Sequence, residues 1–396
     1  MNINVIRLNS NIVDQAYFDQ LNERLVEYAV VLKENVVDSP VTVCLIESGG
    51  VEGQFKNQVL NKLCEPIYLV ATNRANSLAA TLEIATYLKQ RDIEHKVFVD
   101  NDTANLAEEL VNQILVKIAA DSVRGSRLGV IGAPSDWLIA SDVEYFKVKK
   151  KFGIQLVDVS LRELMDIYER KDLPLVQPEN LKELREKSKG NEKTLNDAIR
   201  LYSALKVLIQ TYNLQGLTIR CFDVVKIKKV TACLALALLN DEGYPCGCEG
   251  DIPALLTMFM IKKLIGQETF MVNPSSVNLT DKTIMFSHCT VPLKLCTNYS
   301  FDTHYETDSS IGIHGDLEEK IVNITKLSPD LDHLNITIGR IVKNLSLPNH
   351  CRTQIEVKLH DKTIQDFLSL NQGNHVIISY DNHKKLLTQF FEEFTK

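Results

Sequence analysis

The chain has 396 residues, 45% of them hydrophobic and 24% charged, with a formal net charge of −7. That length holds two or three domains with cores of their own, and the composition is that of an ordinary globular protein. The acidic balance excludes a protein whose main work is to coat nucleic acid, and the longest apolar runs, 232–239 and 253–261, are too short to span a bilayer.

The N-terminal residues show no apolar leader, and the nine cysteines are scattered. Reduced thiols and a cytoplasmic location are therefore expected. The basic clusters at 147–151 and 226–229 read as solvated helix faces.

Taken in order, residues 41–46 form a predicted strand, followed by a polar helix to Leu63. A strand at 66–71, a helix at 77–91, a strand at 95–100 and a helix at 105–120 continue the pattern. A second set opens with strands at 127–132 and 153–159, then a helix at 161–169 and a charged helix from 178 to 209. A strand at 216–223, a helix at 228–240 and a helix at 252–265 complete it. This βαβ rhythm implies two Rossmann-like α/β domains with mostly parallel sheets, 1–125 and 126–267. After Gly266 the rhythm changes to short strands at 269–272, 283–287, 321–326, 335–342 and 353–358, punctuated by Gly, Pro, Asn and Asp. A last strand at 375–380 precedes an amphipathic helix at 384–394. Residues 268–396 are therefore expected to be a β-rich domain, a barrel or a sandwich.

The run Cys246-Gly-Cys-Glu249-Gly-Asp251 holds the most chemistry. Two carboxylates at the mouth of an apolar helix bind a divalent cation, move protons, or cap the helix. Asp251 suits the cap, because Ile252-Pro-Ala opens a helix with proline in its first turn. Glu249 is then left to face a pocket. Ligands of open α/β sheets sit beyond the carboxyl ends of the strands, where the loop 132–137 places Ser135 and the sole tryptophan, Trp137. The indole forms a pocket wall there or packs into the core. His288 ends an apolar strand, His304 lies near Glu306 and Asp308, and His375 opens the last strand. A carboxylate with two imidazoles suits Mn, Co or Zn. Rival readings are a thiolate zinc site from Cys246, Cys248, Cys289 and His288, and a cysteine nucleophile beside His288.

Four stretches together resemble the L-fucose/L-arabinose isomerase superfamily, specifically its shorter fucose-isomerase-like proteins. They are Cys221-Phe-Asp, the run 233–245, Cys248-Glu-Gly-Asp-Ile-Pro-Ala-Leu-Leu-Thr-Met and Ser287-His-Cys-Thr-Val-Pro. The loop 132–141, His304-Tyr-Glu306, Ile311-Gly-Ile-His-Gly and the strand 373–381 are similar to further elements of that family. The resemblance implies two α/β domains and a β-rich third. It also implies aldose–ketose isomerisation of a small-molecule sugar through a cis-enediol, with Mn²⁺ or another divalent cation, in a homo-trimer or homo-hexamer. It implies that Glu249 is both metal ligand and proton-transfer group, and that His288 and His375 are ligands. The place of a second carboxylate holds Asn273, whose carbonyl can face a metal but which accepts no proton near neutrality. Asp251, Glu306 or Asp308 then supplies the missing group, or the reaction differs.

The expectation is thus a metal-dependent sugar isomerase. Glu249, Asp251 and Glu306 would be catalytic, Glu249, Asn273, His288 and His375 would lie on the metal, and Trp137, Ser135 and His304 on the sugar. The alternatives are a non-catalytic sugar- or metabolite-binding protein on the same scaffold and an isomerase-like enzyme with altered chemistry, such as epimerisation.

Overall fold

The computed structural model describes residues 1–10, 14–60 and 64–395. The chain divides into two compact units, 1–118 and 119–396.

In the first unit five parallel strands lie in the order β2-β1-β3-β4-β5. They are β1 (Asn2–Leu8), β2 (Val31–Lys33), β3 (Thr42–Ile46), β4 (Ile67–Thr72) and β5 (His95–Asp100). Every residue of β3 and β4 is buried, as befits central parallel strands covered on both faces. The two-residue alternation sends Val43, Leu45, Tyr68 and Val70 to one core. Cys44, Ile46, Ile67 and Leu69 go to the other. The first two strands and the helix Gln15–Val26 were not visible in the sequence pattern. The expected helix end at Leu63 lies outside the described residues.

The second unit begins with four parallel strands in the order β7-β6-β8-β9. These are β6 (Arg127–Ile131), β7 (Gln155–Val159), β8 (Leu217–Ile219) and β9 (Cys246–Gly247). The expected strand to 223 stops at Ile219, and Cys221–Lys228 is a helix. Asp223 in its first turn favours the helix dipole, and Arg220 Nε donates to Asp223 at 2.6 Å. Lys229, at φ 58°, caps that helix, and a separate helix runs Cys233–Asp241. Of the helix expected at 228–240, the part from Cys233 is formed, and the helix Cys221–Lys228 begins where the strand was expected to end.

Beyond the helix Ile252–Ile265 come β10 (Phe270–Asn278) and β11 (Thr283–His288), then β12 (Cys296–His304) and β13 (Ser309–Leu317). The strands β14 (Ile321–Leu327), β15 (Leu334–Leu345), β16 (Thr353–Leu359) and β17 (Val376–Tyr380) follow. Six of them close an antiparallel barrel, β10-β11-β16-β15-β14-β17, with β17 returning to β10. Of the two β architectures expected, the barrel is the one formed. Strands β12 and β13 pair only with each other as a ribbon. Among the described residues no helix is long and apolar enough to cross a membrane.

Candidate active site

The parallel sheet and the barrel of the second unit meet at the run 246–251. Gly250 N donates to Ile219 O at 3.0 Å, carrying the β8–β9 pairing one step past the strand end. Glu249 is held at φ 60°, a left-handed backbone uncommon for a residue with a side chain. Gly250, at φ 75°, cannot be replaced cheaply, because an added Cβ would lie 2.3 Å from Ala133 O and 2.7 Å from Pro134 Cα. The loop after β6 is thereby seated on the carboxylate run. Ser135 N donates to Glu249 O at 2.9 Å, and Trp137 Nε1 donates to Glu249 Oε2 at 2.6 Å. The indole meets Phe222 edge-on at 5.1 Å, and Phe222 meets His304 at 5.6 Å, giving one aromatic wall.

Asp251 is the N-cap of Ile252–Ile265, accepting from Ala254 N at 2.8 Å. It is fully buried and faces away from the cavity, toward Lys326 Nζ at 3.1 Å and His375 Nδ1 at 3.0 Å. Burial raises its carboxyl, and Lys326 with His375 reverses that to well below the carboxylate range.

The barrel contributes the imidazoles. His288 is the last residue of β11, and its Nδ1 shares a hydrogen bond with Thr290 Oγ1 at 2.8 Å. Burial, then the nearby charge of His375, pushes its pKa down to about 4, so the ring is neutral near neutrality. His375 lies just before β17, wholly buried. Burial lowers it, and the hydrogen bond to Asp251 with the nearby charges of Glu249 and Asp251 more than restores it, leaving it above the usual imidazole value. For Glu249, burial raises the carboxyl, and His375, His288 and Trp137 hold it below its ordinary value. Ligand atoms of Glu249, His288 and His375 lie within 4.8 Å of one another. Among the described residues these three are the set of His, Cys, Asp or Glu side chains that comes together in this way. Cys246, Cys248 and Cys289 with His288 do not. His375 Nε2 is buried with no hydrogen-bond partner, 3.6 Å from Glu249 Oε1. An orphaned imidazole nitrogen opposite an anionic oxygen is what a divalent cation would satisfy, so the residues present fit such an ion.

Glu249 and His288 line a cavity of about 470 Å³, a size suited to a small molecule, while His375 is wholly buried and does not line it. Trp137, His304, Glu306 and Asn273 line it as well. The Asn273 amide reaches Asn374 O at 3.5 Å. Glu306 stands at the tip of the β12–β13 ribbon. Burial, then the charge of Glu249, keeps its carboxyl raised, although His304 pulls it down. Ser135 is buried against the Glu249 backbone and does not line the cavity.

Two features were missed in the sequence. Lys326 is one, a buried lysine whose neighbours read as an ordinary strand. The other is a thiol lining from Cys221, Cys233, Cys248, Cys289 and Cys351, with Cys248 Sγ donating to Cys221 Sγ at 2.8 Å. The alternation of β14, with Lys326 in step with Val322 and Ile324, was the available signal for the first. Of the thiols, Cys248 and Cys289 were grouped with His288 in the sequence, whereas Cys221, Cys233 and Cys351 come from separate segments that carried no signal.

No protein-family profile matches the chain. It is similar to the sulfoquinovose isomerase of Priestia aryabhattai, 22% identical over 302 residues, which are 72% of this chain and 64% of that protein. It is similar to the sulfoquinovose isomerase of Alkalicoccus urumqiensis, 26% identical over 199 residues, or 49% of this chain and 44% of the relative. That of Clostridium sp. is 28% identical over 172 residues, covering 41% and 36%. The chain thus spans about half the length of the curated relatives it matches. These relatives fall in the superfamily that the sequence motifs resemble.

Proposed function

We propose, from the premise that this chain is a relative of the L-fucose/L-arabinose isomerase superfamily, that it is an aldose–ketose isomerase of a small-molecule sugar. The observation that supports this best is the clustering of Glu249, His288 and His375 beside a cavity that Glu249 and His288 line, with Nε2 of His375 left unpaired. Those three residues would hold a divalent cation such as Mn²⁺, with the Asn273 carbonyl as a further oxygen donor. When bound, the cation would act as a Lewis acid and stabilise negative charge developing on the sugar.

The chain's own groups divide the remaining work. Glu249, kept ionised by its imidazole neighbours, is the acceptor for the proton leaving C2 and its donor to C1. The indole N–H of Trp137 holds Glu249 Oε2 and so fixes the orientation of the carboxylate. Glu306, whose carboxyl is raised, exchanges the hydroxyl proton from the opposite wall. Trp137, Phe222 and His304 form the face on which the sugar stacks. Asp251 acts through His375. We assign the chain to the cytoplasm and to a homo-trimer or homo-hexamer.

The test is incubation of a panel of aldoses and ketoses, neutral and sulfonated, in D₂O with Mn²⁺, read by mass spectrometry. Gain of one deuterium with interconversion supports the isomerase. Saturable sugar binding without exchange replaces it with the binding-protein reading, which Asn273 in the place of a second carboxylate favours.

A further inference from the structure

Lys326 is a buried charged residue in this region whose placement the proposed reaction does not use. It lies in β14 with its side chain 1% exposed, and its Nζ reaches both oxygens of Asp251, at 3.2 and 3.1 Å. Asp251 is itself fully buried. Its Oδ1 also accepts from Ala254 N at 2.8 Å, and its Oδ2 lies 3.0 Å from His375 Nδ1. The neighbouring residue of β14 is tied to the same helix, with Leu327 N donating to Thr257 Oγ1 at 2.9 Å. The lysine is therefore clamped at the helix mouth by both side chain and backbone.

Hydrogen-bond chemistry then constrains the imidazole. An ammonium only donates and an ionised carboxylate only accepts. With Lys326 beside it, the Asp251 carboxylate can meet His375 Nδ1 only as an acceptor. A neutral His375 must then carry its proton on Nδ1 and turn the lone pair of Nε2 toward Glu249 Oε1, 3.6 Å away. Two acceptors facing each other across that gap, with Nε2 otherwise unpartnered, leave room for a cation and for nothing that only accepts.

We propose that Lys326 is a positioning residue that, through Asp251, fixes His375 in the Nδ1–H tautomer and so presents Nε2 to the cation site. This rests on the metal-site reading above for its purpose, and on the Lys326–Asp251–His375 contacts for its content. Groups that orient a ligating histidine typically change metal affinity about 10- to 100-fold when removed.

The experiment is ¹⁵N NMR of histidine-labelled protein without metal, followed upward from about pH 8 until the His375 ring is neutral, with Co²⁺ binding followed separately by visible absorption. The variants are Lys326→Met and the pair Lys326→Met with Asp251→Asn. The single variant strands a buried charge and is expected to melt at a lower temperature. The pair removes both charges. The Asp251→Asn change keeps the helix cap through the amide carbonyl, since asparagine is a favoured cap, and turns the amide N–H toward Nδ1. The expected result is Nδ1–H in the unaltered protein, Nε2–H in the folded double variant, and Co²⁺ affinity lower by about 10- to 100-fold. A purely structural role for the pair predicts an unchanged tautomer and unchanged Co²⁺ affinity in the folded double variant, and that outcome overturns the proposal. So does an Nε2–H signal in the unaltered protein. If the unaltered protein takes up no Co²⁺, the metal-site reading fails while the tautomer still decides this one.

Discussion

Trp137 donates its indole N–H to Glu249 Oε2 at 2.6 Å from a loop 112 residues upstream. The indole is half exposed and the carboxylate is buried, so the bond joins the rim of the cavity to its floor. Hydrogen bonds to a charged group contribute about 1.5–3 kcal/mol. Trp137→Phe keeps the ring against Phe222 and deletes only the donor. Its kcat/KM, measured well below the melting temperature, is expected to fall about 10- to 100-fold, with stability lowered by no more than the about 1.5–3 kcal/mol of the lost bond. Steady-state kinetics with calorimetric melting checks this, and unchanged kinetics would remove Trp137 from the site.

The chain holds a single tryptophan, bonded to the candidate ligand Glu249. Paramagnetic Mn²⁺ is therefore expected to quench the intrinsic fluorescence saturably. Glu249→Gln should abolish both the quenching and turnover while the far-ultraviolet circular dichroism stays as it is. Full quenching or turnover in that variant sinks the ligand assignment.

Gly250→Ala places a Cβ 2.3 Å from Ala133 O at φ 75°. The backbone strain and the clash together are expected to cost at least about 2 kcal/mol. The clash also pushes the loop off Glu249, so activity should fall further than stability alone explains. Urea unfolding beside kinetics measured well below the melting temperature separates the two effects.

His288 gives the metal-free protein a pH dependence whose sign is fixed. Its native pKa is pushed down from 6.5 to about 4, first by burial. Between those values the unfolded chain binds a proton that the native state refuses. Stability is thus full above about 6.5 and declines as the pH drops toward about 4, by about 3 kcal/mol in all. Urea unfolding at several pH values should show this decline in the unaltered protein and a shallower one in His288→Gln. Parallel curves would show that burial of this ring is not the cause.

The acidic run, the histidines at strand ends and the change from α/β rhythm to short strands were all legible, because each is written in neighbouring residues. The division of labour between Glu249 and Asp251 followed from Pro253, which marks a helix start one residue after Ile252 and leaves Asp251 as the cap. Other features depend on segments distant in sequence. A lysine in a Thr-Lys-Leu strand reads as solvated until β14 is placed beside the helix that Asp251 caps. The ribbon β12–β13 escaped notice because it pairs only with itself and exposes residues such as Asn298 and Ser300, so its apolar alternation is incomplete. Cys221-Phe-Asp223 read as a strand end because Ile219 is apolar and Phe222 is aromatic, whereas the Arg220–Asp223 pair turns the chain into a helix there.

The helix Ile252–Ile265 is buried continuously from Ile252 to Ile261, and the run holding Glu249 sits at its mouth. Glu306 stands on a ribbon tip where it and Asp308 are exposed. The floor of the cavity therefore opens only when the core does, whereas the opposite rim belongs to the part of the fold that opens most cheaply. Amide hydrogen exchange should divide along that line, slow at 246–255 and fast at 303–309. A cavity divided in this way can change the small molecule it accepts by altering the ribbon tip alone, without disturbing the residues that would hold the ion.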